Sequence, residues 1–257
     1  MKIISSLCVL LSSSHVIANP SHGLIGGAPV NTSEYPEVIR ITTGRSYCSA
    51  SLIGPRVIIT AGHCTRQNGE IRPVSETDVY QFSVRRKVFK ARCTLAPGYV
   101  ERQGEGSQDL ALCKIDKAVE VKYAKVAKED PKRGDRVTLI GYGCVRSDLP
   151  RGGNDGVLRV GESTVTRESS DRSFHYQTEG GAAVCYGDSG GPAFKLVEDP
   201  KDERHIIQGI NSMGNIDDLS MLTSVARSLD FLRDFEAEQD VEICGLSLDC
   251  DEEDQKR

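Results

Sequence analysis

Three short stretches carry residue types that can act together on an acyl group. Thr60-Ala61-Gly62-His63-Cys64 offers an imidazole and Asp109-Leu110-Ala111-Leu112 a carboxylate. Gly187-Asp188-Ser189-Gly190-Gly191-Pro192 offers a hydroxyl inside a glycine-rich turn. A serine hydroxyl is almost wholly protonated at neutral pH and needs an adjacent base. Imidazole titrates in the right range to take that proton and return it to a leaving amine. A buried carboxylate fixes the imidazole tautomer and stabilises the imidazolium. The glycines let backbone N–H groups turn toward a developing oxyanion, where each donor contributes about 3 kcal/mol. Taken singly, His63 reads as a buried histidine, Asp109 as a turn cap and Ser189 as an ordinary turn residue. Their joint occurrence is what points to chemistry.

These stretches need strands to hold them. Short β-rich runs recur at Val38–Thr42, Ser49–Ile53, Val57–Thr60, Gln81–Val84, Val88–Ala91 and Ala111–Ile115. Further runs are Arg136–Gly141, Val157–Val165, Ala193–Val197 and Ile206–Asn211. Gly, Pro, Asn and Asp separate them, the punctuation of an all-β barrel or sandwich. One helix is expected, from Ser224 to Glu238, where Val225, Leu229, Leu232 and Phe235 recur at helical spacing. His63 then follows one strand, Asp109 opens another, and Ser189 sits in the turn before a third.

With 257 residues the chain is long enough for one large domain or two small barrels sharing a core. A net charge of −5 and 5% aromatic residues argue against non-specific nucleic-acid binding and against base-stacking platforms. Lys2, the apolar Ile3–Leu11 stretch and Val16-Ile17-Ala18 form a signal-peptide pattern over residues 1–18. That stretch is too short to span a membrane, and no later segment is apolar for the roughly 18 residues a span needs. Cys8 would leave with the peptide. Cys48, Cys64, Cys93, Cys113, Cys144, Cys185, Cys244 and Cys250 remain. An even number in an exported chain, with no Cys-x-x-Cys pair, favours disulfides over metal sites. Their pairing is open at this level, apart from an easy local loop between Cys244 and Cys250.

The order histidine, aspartate, serine, together with the Gly-Asp-Ser-Gly-Gly-Pro hexapeptide, resembles the chymotrypsin/trypsin family of serine endopeptidases. Such a hexapeptide arises by chance in on the order of one chain of this length in ten thousand or fewer. The resemblance runs from Leu24 to about Glu236. It implies two six-stranded antiparallel β-barrels with the site between them and a C-terminal helix. It also implies a signal peptide at 1–18, a propeptide at 19–23, a protease domain at 24–240 and a tail at 241–257. His63 would be the base, Asp109 its orienter and Ser189 the nucleophile, with the N–H groups of Gly187 and Ser189 as the oxyanion hole. Ser212 would line the cleft and pair with the substrate backbone. Leu24-Ile25-Gly26-Gly27 resembles the activation terminus, whose freed amine would pair with Asp188. A polypeptide substrate, an activating protease, a monomer, and no cofactor or metal complete the implication.

The resemblance extends to disulfides and to the primary pocket. It implies Cys48–Cys64, makes Cys93–Cys113 plausible, and leaves Cys144 to pair with Cys185. No cysteine lies between Gly214 and Met221, so one pocket wall is expected to be rearranged. Ala183 stands six residues before the nucleophile, where trypsin-like members carry the aspartate that selects basic side chains. With Val184, Gly214 and Ser220 around it, an open apolar pocket is expected, taking a hydrophobic or small residue. Gly23 precedes Leu24 where a basic residue is common, so a protease of another specificity would make the activating cut. His175 and His205 have no matching carboxylate by spacing and read as surface or core histidines. Arg85-Arg86-Lys87 reads as a solvated turn. Asn31-Thr32-Ser33 is a glycosylation sequon. Gln67–Asp78 differs in spacing from the calcium loop of some relatives. The competing readings are a catalytically silent homologue that binds a partner in the same cleft, and an adhesion sandwich. The intact triad argues against the first, and the second gives no reason for the hexapeptide.

Overall fold

The structure, a computed structural model, describes residues 24–43, 46–65, 80–84, 87–101, 106–144, 155–196 and 205–253. Runs of β-branched and aromatic residues form strands between turn residues. The first seven are β1 (Ala28–Pro29), β2 (Val38–Thr43), β3 (Ser46–Gly54), β4 (Val57–Thr60), β5 (Tyr80–Val84), β6 (Lys87–Leu95) and β7 (Ala111–Ile115). Then come β8 (Lys125–Val126), β9 (Arg136–Gly141), β10 (Arg159–Arg167), β11 (His175–Glu179), β12 (Pro192–Lys195), β13 (Ile206–Gly214) and β14 (Ser220–Ser224). The α-helices are α1 (Pro97–Glu101), α2 (Leu229–Gln239) and α3 (Cys250–Glu253).

Strands β2-β3-β4-β7-β6-β5 form a closed antiparallel barrel, with Ile41 opposite Phe82 at the closure. Closure leaves no edge strand unpaired. Ala50, Leu52 and Ile53 of β3, Val57, Ile58 and Ile59 of β4, and Leu112 and Ile115 of β7 are fully buried within it. In the second sheet, β9, β10, β11, β14, β13 and β12 pair in sequence, and β12 returns to β9. The six strands thus ring a core of Leu24, Val137, Leu139, Val165, Tyr176, Ala193 and Leu222. β1 adds to β10, and β8 runs parallel beside β13. This is the all-β, two-barrel architecture with a C-terminal helix that the sequence implies.

Several boundaries differ from the sequence reading. Helix α2 begins at Leu229 rather than Ser224. The Val225 N–H still donates to the Gln208 carbonyl (3.1 Å), and a 3₁₀ turn at Ala226–Ser228 intervenes. The helix buries Phe231, Leu232 and Phe235 and ends at Asp240, whose left-handed backbone (φ 49°) stops it. In addition, β1, β8, β11 and β14 do not appear among the sequence-derived runs. Beyond α2 the chain turns back over both barrels. The Cys244 N–H donates to the Ile53 carbonyl (2.7 Å), and the Cys244 carbonyl accepts from the Val126 N–H (3.0 Å).

The expected signal peptide and propeptide (1–23), the Gln67–Asp78 loop, and Arg85 and Arg86 lie outside the described residues. No helix among the described residues is long and apolar enough to cross a membrane.

Candidate active site

His63 sits in a 3₁₀ turn, Gly62–Thr65, at the end of β4, and Asp109 lies just before β7, the strand paired with β4. That pairing brings two residues distant in sequence into contact. His63 Nδ1 lies 2.7 Å from Asp109 Oδ2, and the His63 backbone N–H donates to Asp109 Oδ1 at 2.8 Å. The Ser212 hydroxyl, from β13 of the other barrel, donates to Asp109 Oδ2 at 2.6 Å. Burial pushes the Asp109 carboxyl up, but the His63 charge and the hydrogen bonds from His63 and Ser212 outweigh it and hold it low. Asp109 is 2% exposed whereas the His63 side chain is 31% exposed. The imidazole is therefore fixed on one nitrogen and open on its other edge.

Ser189 lies in the turn before β12 and is half-buried. Its carbonyl accepts from the Ser49 N–H (2.8 Å), and Cys64 Sγ lies 3.6 Å from the same oxygen. The Ser189 turn is thereby packed onto Ser49 and onto Cys64, the neighbour of His63. The Gly190 N–H donates to the Asn211 carbonyl (2.8 Å), and the Asn211 amide holds the carbonyls of Ile140 (3.1 Å) and Asp188 (3.2 Å). Gly190 has φ +80°, and a side chain there would collide with Thr60 Oγ1 and the Ser49 carbonyl. Only glycine fits. Gly187 also has positive φ, at +102°.

Asp188 is fully buried, and its carboxylate accepts from the Gly143 N–H (2.8 Å) and the Cys185 N–H (2.9 Å). Burial dominates these bonds and pushes its carboxyl up to about 7. No ion pair to Asp188 occurs among the described residues. Leu24 itself is fully buried in the second barrel's core, and Ile25 bridges to Ala183.

The residues expected to form the pocket, Ala183, Val184, Gly214 and Ser220, are neighbours in the fold. Ala183 and Ser220 expose no surface, and Val184 exposes 5%. The Ser220 hydroxyl accepts from the Val184 N–H (3.0 Å), and a Val184 methyl lies 3.1 Å from where a Gly214 side chain would begin. A tight turn follows Gly214, with Asn215 Oδ1 accepting from the N–H groups of Asp217, Asp218 and Leu219. Val184 and the Leu219 carbonyl thus pack against Gly214.

Four disulfides are formed: Cys48–Cys64, Cys93–Cys113, Cys144–Cys185 and Cys244–Cys250. Among the described residues, the one group of His, Cys, Asp and Glu side chains close enough to share a metal ion is Cys48, His63 and Cys64. Both its sulfurs are consumed by a disulfide. His205 corrects the sequence reading. Its Nδ1 lies 2.6 Å from Glu37 Oε1, and its ring stacks on Tyr35 and Phe194. That carboxylate is 168 positions away in sequence, beyond the reach of any local spacing argument. His175 is partly buried, and burial lowers its pKa against the pull of Asp109. Ser49, Thr60 and Asn211, which hold the serine turn, went unremarked in the sequence because a lone serine, threonine or asparagine carries no signal there.

A model of the trypsin family matches residues 24–232. The chain is 29% identical over 191 residues to a trypsin-like protease of Streptomyces glaucescens, covering 67% of this chain and 66% of that protein. It is 27% identical over 239 residues to the cercarial protease of Schistosoma mansoni, covering 80% and 88%. Among solved structures it resembles neuropsin, a serine protease expressed in the limbic system of mouse brain. That match has a TM-score of 0.63 at 20% identity and covers 81% of this chain and 97% of that one. The chain belongs to the trypsin family of serine endopeptidases.

Proposed function

We propose that the chain is an exported endopeptidase that cuts polypeptides through a His63–Asp109–Ser189 triad. The observation that carries this reading is the convergence of His63 Nδ1 and the Ser212 hydroxyl on one buried Asp109 oxygen, beside the Ser189 turn. With Nδ1–H held by Asp109, the free edge of His63 is the acceptor for the Ser189 proton. The hydroxyl oxygen adds to the substrate carbonyl, and the N–H groups of Gly187 and Ser189 receive the oxyanion. Collapse expels the amine, which takes the proton from His63, and leaves an acyl group on Ser189. Water, deprotonated by the same imidazole, releases the acid.

The buried Ala183, Val184 and Ser220 support a shallow apolar pocket for a small side chain before the cut, rather than for Arg or Lys. No carboxylate lies among these residues to pair with a buried cation. The signal-like residues 1–18 and the four disulfides support export. The unpaired Asp188 supports a cut before Leu24, made after Gly23 by another protease, as the maturing step. The test is to incubate the chain beginning at Leu24 with a diverse peptide mixture and read the new termini by mass spectrometry, beside Ser189→Ala. Serine-dependent cuts after Ala, Val or similar residues are expected. Absence of serine-dependent cuts overturns the endopeptidase, and cuts after Arg alone overturn the pocket.

A further inference from the structure

Gly187 has no side chain to anchor it, so hydrogen bonds must fix the two peptide planes flanking it. The first, carrying the Gly187 N–H, is held by the Cys144 N–H on the Tyr186 carbonyl (2.8 Å). The second, carrying the Gly187 carbonyl and the Asp188 N–H, is held by that N–H on the Cys185 carbonyl (3.0 Å) and from the other barrel. The Ser49 hydroxyl donates to that carbonyl at 2.9 Å and accepts from the Tyr142 N–H at 3.0 Å. Ser49 is fully buried, and its own N–H donates to the Ser189 carbonyl at 2.8 Å. Its carbonyl in turn accepts from the Thr60 hydroxyl at 2.9 Å. One residue of β3 thus grips the carbonyls of both Gly187 and Ser189. Its neighbour Cys48 is bonded to Cys64, next to His63.

We propose that Ser49 is a positioning residue for the reaction: its side chain and backbone fix the Gly187 and Ser189 carbonyls at the two ends of the turn, and so hold the turn in the shape that aims the Gly187 and Ser189 N–H groups at the acyl oxygen. The inference rests on the reading of Gly187 and Ser189 as oxyanion donors. Without the hydroxyl, the Gly187 carbonyl and the Tyr142 N–H both lose a partner in a buried place. The Asp188 N–H bond to the Cys185 carbonyl remains on that plane, but with one restraint fewer and no Cβ at Gly187 the turn shifts and its donors lose their aim. Ground-state binding of the peptide uses other contacts and is left in place. The loss therefore falls on the transition state.

The experiment compares the wild-type chain with Ser49→Ala. We expect kcat to fall about ten- to a hundredfold while KM stays within about threefold. A peptide aldehyde, whose adduct with Ser189 places an oxyanion in the hole, should lose affinity by the same factor as kcat/KM. The matching peptide alcohol, which forms no adduct, should bind unchanged. An unaltered kcat, or equal weakening of aldehyde and alcohol, overturns the role. Fluorophosphonate labelling of Ser189 in the wild type reports separately on the triad. If labelling and turnover are both absent there, the catalytic reading fails and the bridge is judged by hydrogen exchange of the Tyr142 amide. Faster exchange in Ser49→Ala supports the clamp, and unchanged exchange overturns it.

Discussion

The Cys144 N–H donates to the Tyr186 carbonyl at 2.8 Å, and this sets the plane of the peptide that carries the Gly187 N–H. In a trans peptide the carbonyl and the N–H point in opposite directions, so a carbonyl directed at Cys144 sends the N–H away from it. Cys144 is also bonded through sulfur to Cys185, one residue before Tyr186. The disulfide and the hydrogen bond therefore fasten the same short segment. Replacing both cysteines by serine, which leaves no stray thiol, should lower kcat at least tenfold with the fold retained by circular dichroism. Full activity in the double variant would show that the segment holds its shape without the cross-link.

The triad should behave as one unit. Ser189→Ala and His63→Ala are each expected to lower kcat by on the order of 10⁴- to 10⁶-fold, and the double variant by scarcely more. Multiplying losses in a steady-state measurement would contradict the shared role. Ser212→Ala removes a donor from Asp109 and should cost about tenfold, since His63 still holds the carboxylate.

Asp188 gives a pH prediction. Its carboxyl is pushed up to about 7 in the folded chain and falls near 3.8 when exposed. Between these values the folded state holds a proton that the unfolded state releases. The associated stability is present below about pH 4 and is lost as pH rises through 7. Urea midpoints of the uncut chain should fall across this window, and Asp188→Asn should flatten the fall. A chain beginning at Leu24 should flatten it too, because a freed α-amine beside Asp188 favours the charged carboxylate. An identical slope in cut and uncut chains would show that the amine does not reach Asp188.

The proposed shallow pocket makes a specificity prediction. Val184→Gly removes the side chain packed beside Gly214 and should raise kcat/KM for Phe relative to Ala before the cut by about tenfold or more. Competition between two peptides differing only at that position measures the ratio. An unchanged ratio would place the limit elsewhere.

Much of this site was legible in the sequence because its chemistry is carried by contiguous stretches. Gly187 to Pro192 encodes a turn and the proposed nucleophile together, and His63 sits beside a cysteine that anchors it. The elements that escaped notice lack a local signature. His175–Glu179 and Ser220–Ser224 are short and polar, yet form neighbouring strands of the second barrel because Tyr176, Thr178 and Leu222 turn inward. The His205–Glu37 pair joins opposite ends of the chain. Ser49 looks like any strand serine until the fold sets it against Gly187. The packing of Val184 beside Gly214 is likewise set by how the turn after Gly214 folds, which no local stretch encodes.

Cys244 engages the Ile53 carbonyl of one barrel and the Val126 N–H beside the other. The chain after α2 is thus a brace spanning the two halves, knotted by its own disulfide to Cys250. Rotation of one barrel against the other would strain these bonds, so they tie the two walls of the cleft together. A cleft braced in this way is expected to leave the bending to its partner, favouring segments that are already extended and mobile, such as loops and tails, over the same residues locked in a folded domain.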